Sequence, residues 1–184
     1  MEIYILNKTS SYTNNQIYEL VSKIQSSFAL KQFCQDWNID IPKLYYIRIG
    51  WPFNPSNINI SIFDHHLNKK SYHSLSIKNN IPFANIFCNP SKNNLSILFT
   101  HELFELLINP YMEETFTFQN EIYLKEVCDP VSDNYFQENN LKISDWILPN
   151  WFEKDFCGNT NHLNTLKKSF ELSSEGYMQK PNFY

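Results

Sequence analysis

The spacing of apolar and polar residues changes several times along this chain, and each change marks an element. Residues 1–6 alternate and are rich in Ile and Tyr, which predicts a strand. From Thr13 the period lengthens. Thr13-Asn-Asn-Gln16 has the form of a capping box, and Ile17, Leu20, Val21, Ile24 and Phe28 keep helical spacing. One long helix over residues 14–34 follows, ending before Asp36-Trp37-Asn38. Leu44 to Ile49 reads as a second strand, broken by Trp51-Pro-Phe-Asn-Pro55. Asn57 to Phe63 alternates with Ile58, Ile60 and Ile62 on one side, the pattern of a half-buried strand. Lys78-Asn-Asn80 reads as a turn, Phe83 to Cys88 as another strand, and Asn89 to Asn94 as a loop.

Leu95 to Ile108 is different, because it is apolar on nearly every side. It reads as a helix closed by Asn109-Pro110, since proline disfavours helical geometry in the residue before it. Beyond Pro110 the pattern weakens. Glu121–Leu124 and Leu141–Ile147 are expected as short strands, the segment from Glu153 is mixed, and residues 180–184 are expected to be loosely held. The sum is a single α+β domain over residues 1–184, without internal repeats. It has a small mixed sheet, a long N-terminal helix, a buried central helix and a loop-rich C-terminal third.

Composition narrows the function. Aromatic residues make up 16 % of the chain, which favours a folded core over disorder. The formal net charge is -4, and no basic run or basic–aromatic stripe is present, so nucleic acid is not an expected partner. Lys69-Lys70 and Lys167-Lys168 read as solvated surface. No apolar stretch reaches the roughly 20 residues of a membrane span, and the N-terminus lacks the form of a signal peptide. A cytoplasmic or virion-associated protein is expected, with no membrane partner. Cys34, Cys88, Cys128 and Cys157 form no C-x-x-C pair and read as buried small hydrophobes, with Cys128 set apart because it lies inside an acidic motif. Neither a G-x-S-x-G turn nor a glycine-rich phosphate loop occurs.

The chemistry concentrates at His101-Glu102-Leu-Phe-Glu105 on the apolar helix. At about 100° per residue, Glu105 lies near 40° from His101 and Glu102 near 100°. The pair at i and i+4 can grip a metal while the glutamate between them handles a water, as in the H-E-x-x-H helix of zinc peptidases, although here the second histidine is a glutamate. The same spacing also fits a narrow polar stripe facing water. The five-residue pattern alone favours that stripe, but a helix this apolar around its circumference is usually buried, and a second acidic cluster downstream shifts the balance. Two buried carboxylates and an imidazole then need compensation, which a divalent ion supplies. Downstream, Lys125-Glu126-Val-Cys-Asp129-Pro130 offers either Glu126 or Asp129 as a further carboxylate ligand. His65 and His66 read as surface residues, His73 as a loop histidine, and His162 lies in no motif.

Three segments in order, Thr100 to Pro110, Glu126 to Val131 and Ile143 to Phe152, resemble a family of phage and bacterial proteins. Its pattern runs roughly S-H-E-L-L-E-M-L-x-D-P, E-V-C-D-P-V-E and V-S-D-F-V-x-P-x-W-F. Phe33 to Trp37, Ser71-Tyr-His73, Ile81 to Phe87 and Gly176-Tyr-Met178 extend the likeness over nearly the whole chain. Such proteins look like zincin-type, gluzincin-like metallopeptidases. The resemblance implies a zincin-like domain holding one Zn²⁺. His101 and Glu105 would be metal ligands, Glu126 or Asp129 would complete the set, and Glu102 would be the general base. A peptide or protein would be the substrate. Two positions depart from the pattern. Asn109 stands where the family has Asp before Pro, and Ser74 where it has Asp after Tyr-His. An Asp that touched the metal at either place would be missing here. The alternative is a non-catalytic virion or interaction protein of the same fold, with a structural metal or none. The aromatics around Trp146 and Trp151, read as exposed, favour it.

Overall fold

A computed structural model describes residues 1–181 except Ile49, Asn68 and Asn93. The described residues form a mixed α/β structure with three α-helices and a mixed five-stranded sheet. Strand β1 (Glu2–Asn7) runs parallel to both of its neighbours, the edge strand β2 (Lys43–Ile47) and the central strand β3 (Asn59–Asp64). Strand β5 (Pro82–Cys88) runs parallel to β3, and β4 (Tyr72–Leu75) closes the edge antiparallel to β5. The order is therefore β2-β1-β3-β5-β4. The expected second strand ends at Ile47; Ile49, and residues 182–184 of the expected loose tail, lie outside the described residues.

Alternation sets the buried face. Ile3, Ile5, Ile60, Ile62, Ala84, Ile86 and Cys88 are all fully buried, whereas Tyr4, Leu6, Phe83 and Phe87 on the other face are only partly covered. Strand β3 is not simply half-buried, because Ser61 between its two isoleucines is also inaccessible.

The long N-terminal helix is in fact two. Helix α1 (Asn14–Ser26) starts at the expected Thr13–Gln16 capping box, and α2 (Phe28–Asp36) starts afresh after Ser27. Ser27 is extended (φ -66°, ψ 150°), and its hydroxyl accepts the Leu30 N–H as an N-cap. The remaining free N–H groups of α2 are met from far along the chain. Phe28 N and Ala29 N donate to the two carboxylate oxygens of Glu138 at 2.7 and 2.9 Å. A negative charge at a helix N-terminus also meets the favourable end of its dipole. Glu138→Ala is therefore expected to cost about 1–2 kcal/mol, measurable as a lower urea midpoint with unchanged slope.

Helix α3 (Leu95–Ile108) packs on β5 and β4, and its polar exceptions have structural uses. Ser96 Oγ accepts from Lys142 N at 3.1 Å, and Thr100 Oγ1 from Ser144 N at 2.9 Å. These two bonds, one helical turn apart on α3, pin strand β9 (Leu141–Ser144) across the helix. Strand β9 pairs with β8 (Tyr135–Glu138), and β6 (Thr115–Phe118) with β7 (Glu121–Leu124). Both hairpins turn through two residues with positive φ, Gln119-Asn120 and Asn139-Asn140, as the tight mirror-image turns require.

Aromatic stacking joins these parts. Phe33 of α2 stacks on Phe104 of α3 at 4.1 Å, and Trp146 meets both edge-on. Trp146 and Trp151 are fully buried, which corrects their reading as exposed aromatics. Cys34, Cys88 and Cys128 are buried free thiols as expected, but Cys157 is exposed. No helix among the described residues is long and apolar enough to cross a membrane.

Candidate metal centre

Four segments converge at the C-terminal half of α3. The helix contributes His101, Glu102 and Glu105, one turn and one residue apart. Edge strand β4 contributes His73, which points inward between exposed Tyr72 and partly covered Ser74. The chain leaving β7 contributes Glu126 and, in a short 3-10 turn over Asp129–Val131, Asp129. The segment 173–179 crosses over them as a strap. Ser173 N donates to Pro130 O at 2.9 Å, Tyr177 N to Asp129 O at 3.1 Å, and Leu124 N to Gln179 O at 2.8 Å.

Together these residues line a cavity of about 60 Å³. A single water occupies roughly 10–15 Å³ of such space, so the cavity suits an ion with a few waters. Ser71, His101, Glu102 and Tyr177 also line a wider adjoining cleft of about 270 Å³. That cleft carries Lys69, Lys70 and Lys92. A separate pocket of about 170 Å³ near Tyr12, Glu19 and Asn140 shares no residue with this cluster.

All the donors but His101 are deeply covered. Glu102, Glu105, Glu126 and Asp129 are each at most 4 % exposed, and His73 6 %. His101 Nε2 lies 3.3 Å from Glu105 Oε1 and 3.3 Å from Asp129 Oδ1. His73 Nε2 lies 3.5 Å from Glu126 Oε2, and its Nδ1 lies 3.7 Å from Glu105 Oε2 and 3.8 Å from Glu102 Oε2. The longer separations are charge contacts and not hydrogen bonds. His73 Nε2, Glu102 Oε2 and both carboxylate oxygens of Glu126 are buried without a hydrogen-bond partner. Leaving such groups unmet costs several kcal/mol each.

The donor set fits a divalent cation. A tetrahedral ion with bonds of roughly 2.0–2.1 Å holds its ligands about 3.3 Å apart, which is the spacing around His101. Electrostatics point the same way. Burial disfavours the charged forms of His73 and His101, yet the surrounding carboxylates outweigh it and raise both well above the ordinary histidine value. Burial and the Glu105 charge push Glu126 up to about 8, and raise Asp129 too. Glu105 is the exception. Burial works against its charge, but the two histidines hold it at about 2. Without a cation, the cluster gathers protons to balance its charge.

The chain matches no family model, no curated protein and no solved structure in comparisons with known proteins. The centre is therefore read from its own geometry. The structure brings all five residues singled out from the sequence, His101, Glu102, Glu105, Glu126 and Asp129, into one cavity. Two groupings whose donor atoms all lie within 4.8 Å of one another are His101–Glu105–Cys128 and His73–Glu105–Glu126. Cys128, set apart in the sequence by its place in the acidic motif but not counted there among the ligands, is thus a further donor; burial pushes its thiol well up and keeps it protonated without a metal.

His73 is the larger omission, read as a loop residue where it is a buried strand residue. Its only signal was the Tyr-His pair in the family resemblance. The two departures from that family fall outside the cavity. The Asn109 amide donates to Glu114 O at 3.0 Å while its oxygen accepts Glu114 N at 2.9 Å, so Asn109 clamps the loop after α3. An aspartate could make only the second of these bonds. Ser74 sits in β4 opposite Phe83 and does not line the cavity.

Proposed function

We propose that this chain is a zinc-dependent hydrolase acting on peptide bonds. His101 and Glu105 hold the ion, Asp129 or Cys128 completes that set, and Glu102 is the general base. The observation that carries this reading is the convergence of a histidine–carboxylate donor set on one cavity beside Glu102, whose unpartnered Oε2 is buried at the wall of an open cleft. Zinc supplies Lewis acidity when bound, lowering the pKa of a water and polarising a carbonyl oxygen.

The rest falls to the chain's own side chains. Glu102 accepts a proton from the attacking water as the new C–O bond forms. It returns that proton to the amine nitrogen as the C–N bond breaks, leaving a carboxylate and an amine. Burial raises the Glu102 carboxyl, which brings it closer to a value at which it can both take and give a proton near neutral pH. His101 is 14 % exposed at its side chain and lies on the cleft side of the donor set. The cleft gives an extended substrate access to that side.

Glu102→Gln keeps the shape and removes the base. It is expected to cut hydrolysis of a peptide library about 10²–10⁴-fold with metal content unchanged. Undiminished turnover in the variant would remove Glu102 from this role.

The burial of every donor except His101 favours a second reading, a structural ion in a non-catalytic virion-associated or interaction protein. In that case the wild-type protein cleaves nothing in the library, while a chelator still lowers its unfolding temperature.

A further inference from the structure

Glu105 is shared between the two donor groupings, and it offers each a different oxygen. Oε1 faces His101 Nε2 at 3.3 Å, whereas Oε2 faces His73 Nδ1 at 3.7 Å. The two carboxylate oxygens thus point at two histidines that come from different elements, α3 and β4. Such divergence is how a carboxylate bridges two cations, which in two-metal hydrolases sit roughly 3.5–4 Å apart.

The His73 side carries its own evidence of a ligand. His73 and Glu126 side chains are each 3 % exposed, and His73 Nε2 and both Glu126 oxygens lack any hydrogen-bond partner. One ion at His101 would leave these three atoms unmet. Charge gives an independent count. Four buried carboxylates, Glu102, Glu105, Glu126 and Asp129, surround two imidazoles, and among the described residues that line the cavity there is no lysine or arginine. A single divalent ion balances half of that charge, and two balance all of it.

We infer that the centre is dinuclear: a second divalent cation binds at His73, Glu105 and Glu126, bridged through Glu105 to the ion at His101. The inference rests on the metal-hydrolase reading for the first ion and adds a second, more deeply buried one. His73 is then a metal ligand, and the antiparallel edge strand β4 is part of the metal-binding framework. Glu102 stands beside both ions without being required by either.

The test is a metal count on the full chain. The protein is stripped with a chelator, reloaded with Zn²⁺, cleared of excess, and measured by elemental analysis and native mass spectrometry. The expected result is two zinc ions per chain in the wild type and one in His73→Ala. Glu126→Ala is a second route to the same single-ion state, with circular dichroism confirming that each variant folds. One ion in the wild type overturns the second site and, if peptide hydrolysis persists, leaves the hydrolase reading standing. Two ions retained in both variants overturn the assignment of the second site to these residues. A wild-type chain that holds no zinc removes both readings.

Discussion

Removing divalent metal is expected to lower the thermal midpoint of this protein by about 8–16 °C. An ion held at about a thousand times its dissociation constant stabilises the native state by roughly 4 kcal/mol, and each kcal/mol moves the midpoint of a chain this size by about 2–4 °C. The effect should depend on pH with a definite sign. In the stripped protein Glu126 keeps its proton up to about pH 8, while in the unfolded chain it releases it near 4.5. The native state thus binds the extra proton between those values. The stability that Glu126 contributes is complete below about pH 4.5 and is lost as the pH climbs through about 8. His73 and His101, also raised, act in the same direction. Metal binding has the opposite dependence, because it needs the carboxylates ionised and the imidazoles neutral. The gap between loaded and stripped midpoints should therefore widen from about pH 5 to about pH 8. Calorimetry on both forms checks this. A gap that is constant or that narrows would show that the buried carboxylates are not the metal ligands.

Gly176→Ala should be nearly as damaging, although glycine touches no reacting group. A Cβ at this position would stand 2.1 Å from the Pro130 carbonyl oxygen and 2.7 Å from its carbon. Both are backbone atoms, fixed by the 3-10 turn that carries Asp129, so no flexible side chain can swing away. The strap must lift. That sacrifices the Ser173 N–Pro130 O and Tyr177 N–Asp129 O bonds and withdraws Tyr177 and Gln179 from the cavity wall. Overpacking of this kind costs about 1–3 kcal/mol. The variant should melt several degrees lower, by about 2–12 °C, and should lose zinc faster to a competing chelator. Wild-type stability together with wild-type zinc retention would mean that the strap has no part in holding the centre.

The central helix was the most legible element of this chain. Its length, its apolar circumference and its stop at Asn109-Pro110 follow from local rules, and α3 runs over the expected Leu95–Ile108. The N-terminal capping box was equally local and is present as read. Ser27 was missed for the converse reason. The apolar spacing continues across it, and the cap that ends one helix and starts the next is completed by Glu138, 110 positions beyond Phe28. Periodicity cannot register a partner so distant. Strand β4 is four residues long and pairs on one side only, so Tyr72-His-Ser-Leu75 has no alternation long enough to read. With that strand went His73. The carboxylates of the centre could be picked out because glutamate on an apolar helix is conspicuous. A histidine on a short edge strand is not, and only the tertiary fold reveals that it faces the same cavity.

The same apolar circumference has a consequence for the chain before it is fully folded. Most amphipathic helices can wait with their polar side in water, but α3 has almost no such side. Its cover comes from β4 and β5 on one flank, from β9 on another, and from residues 126–131 over its C-terminal half. These parts lie on both sides of it in sequence. Until the later ones arrive, the helix presents a sticky surface to other copies of the chain. Four carboxylates gathering at one spot repel one another as they close, so final assembly slows when that surface is most exposed. Divalent ions available at this stage would remove the repulsion and shorten the interval, and would divert chains from aggregation toward the native state.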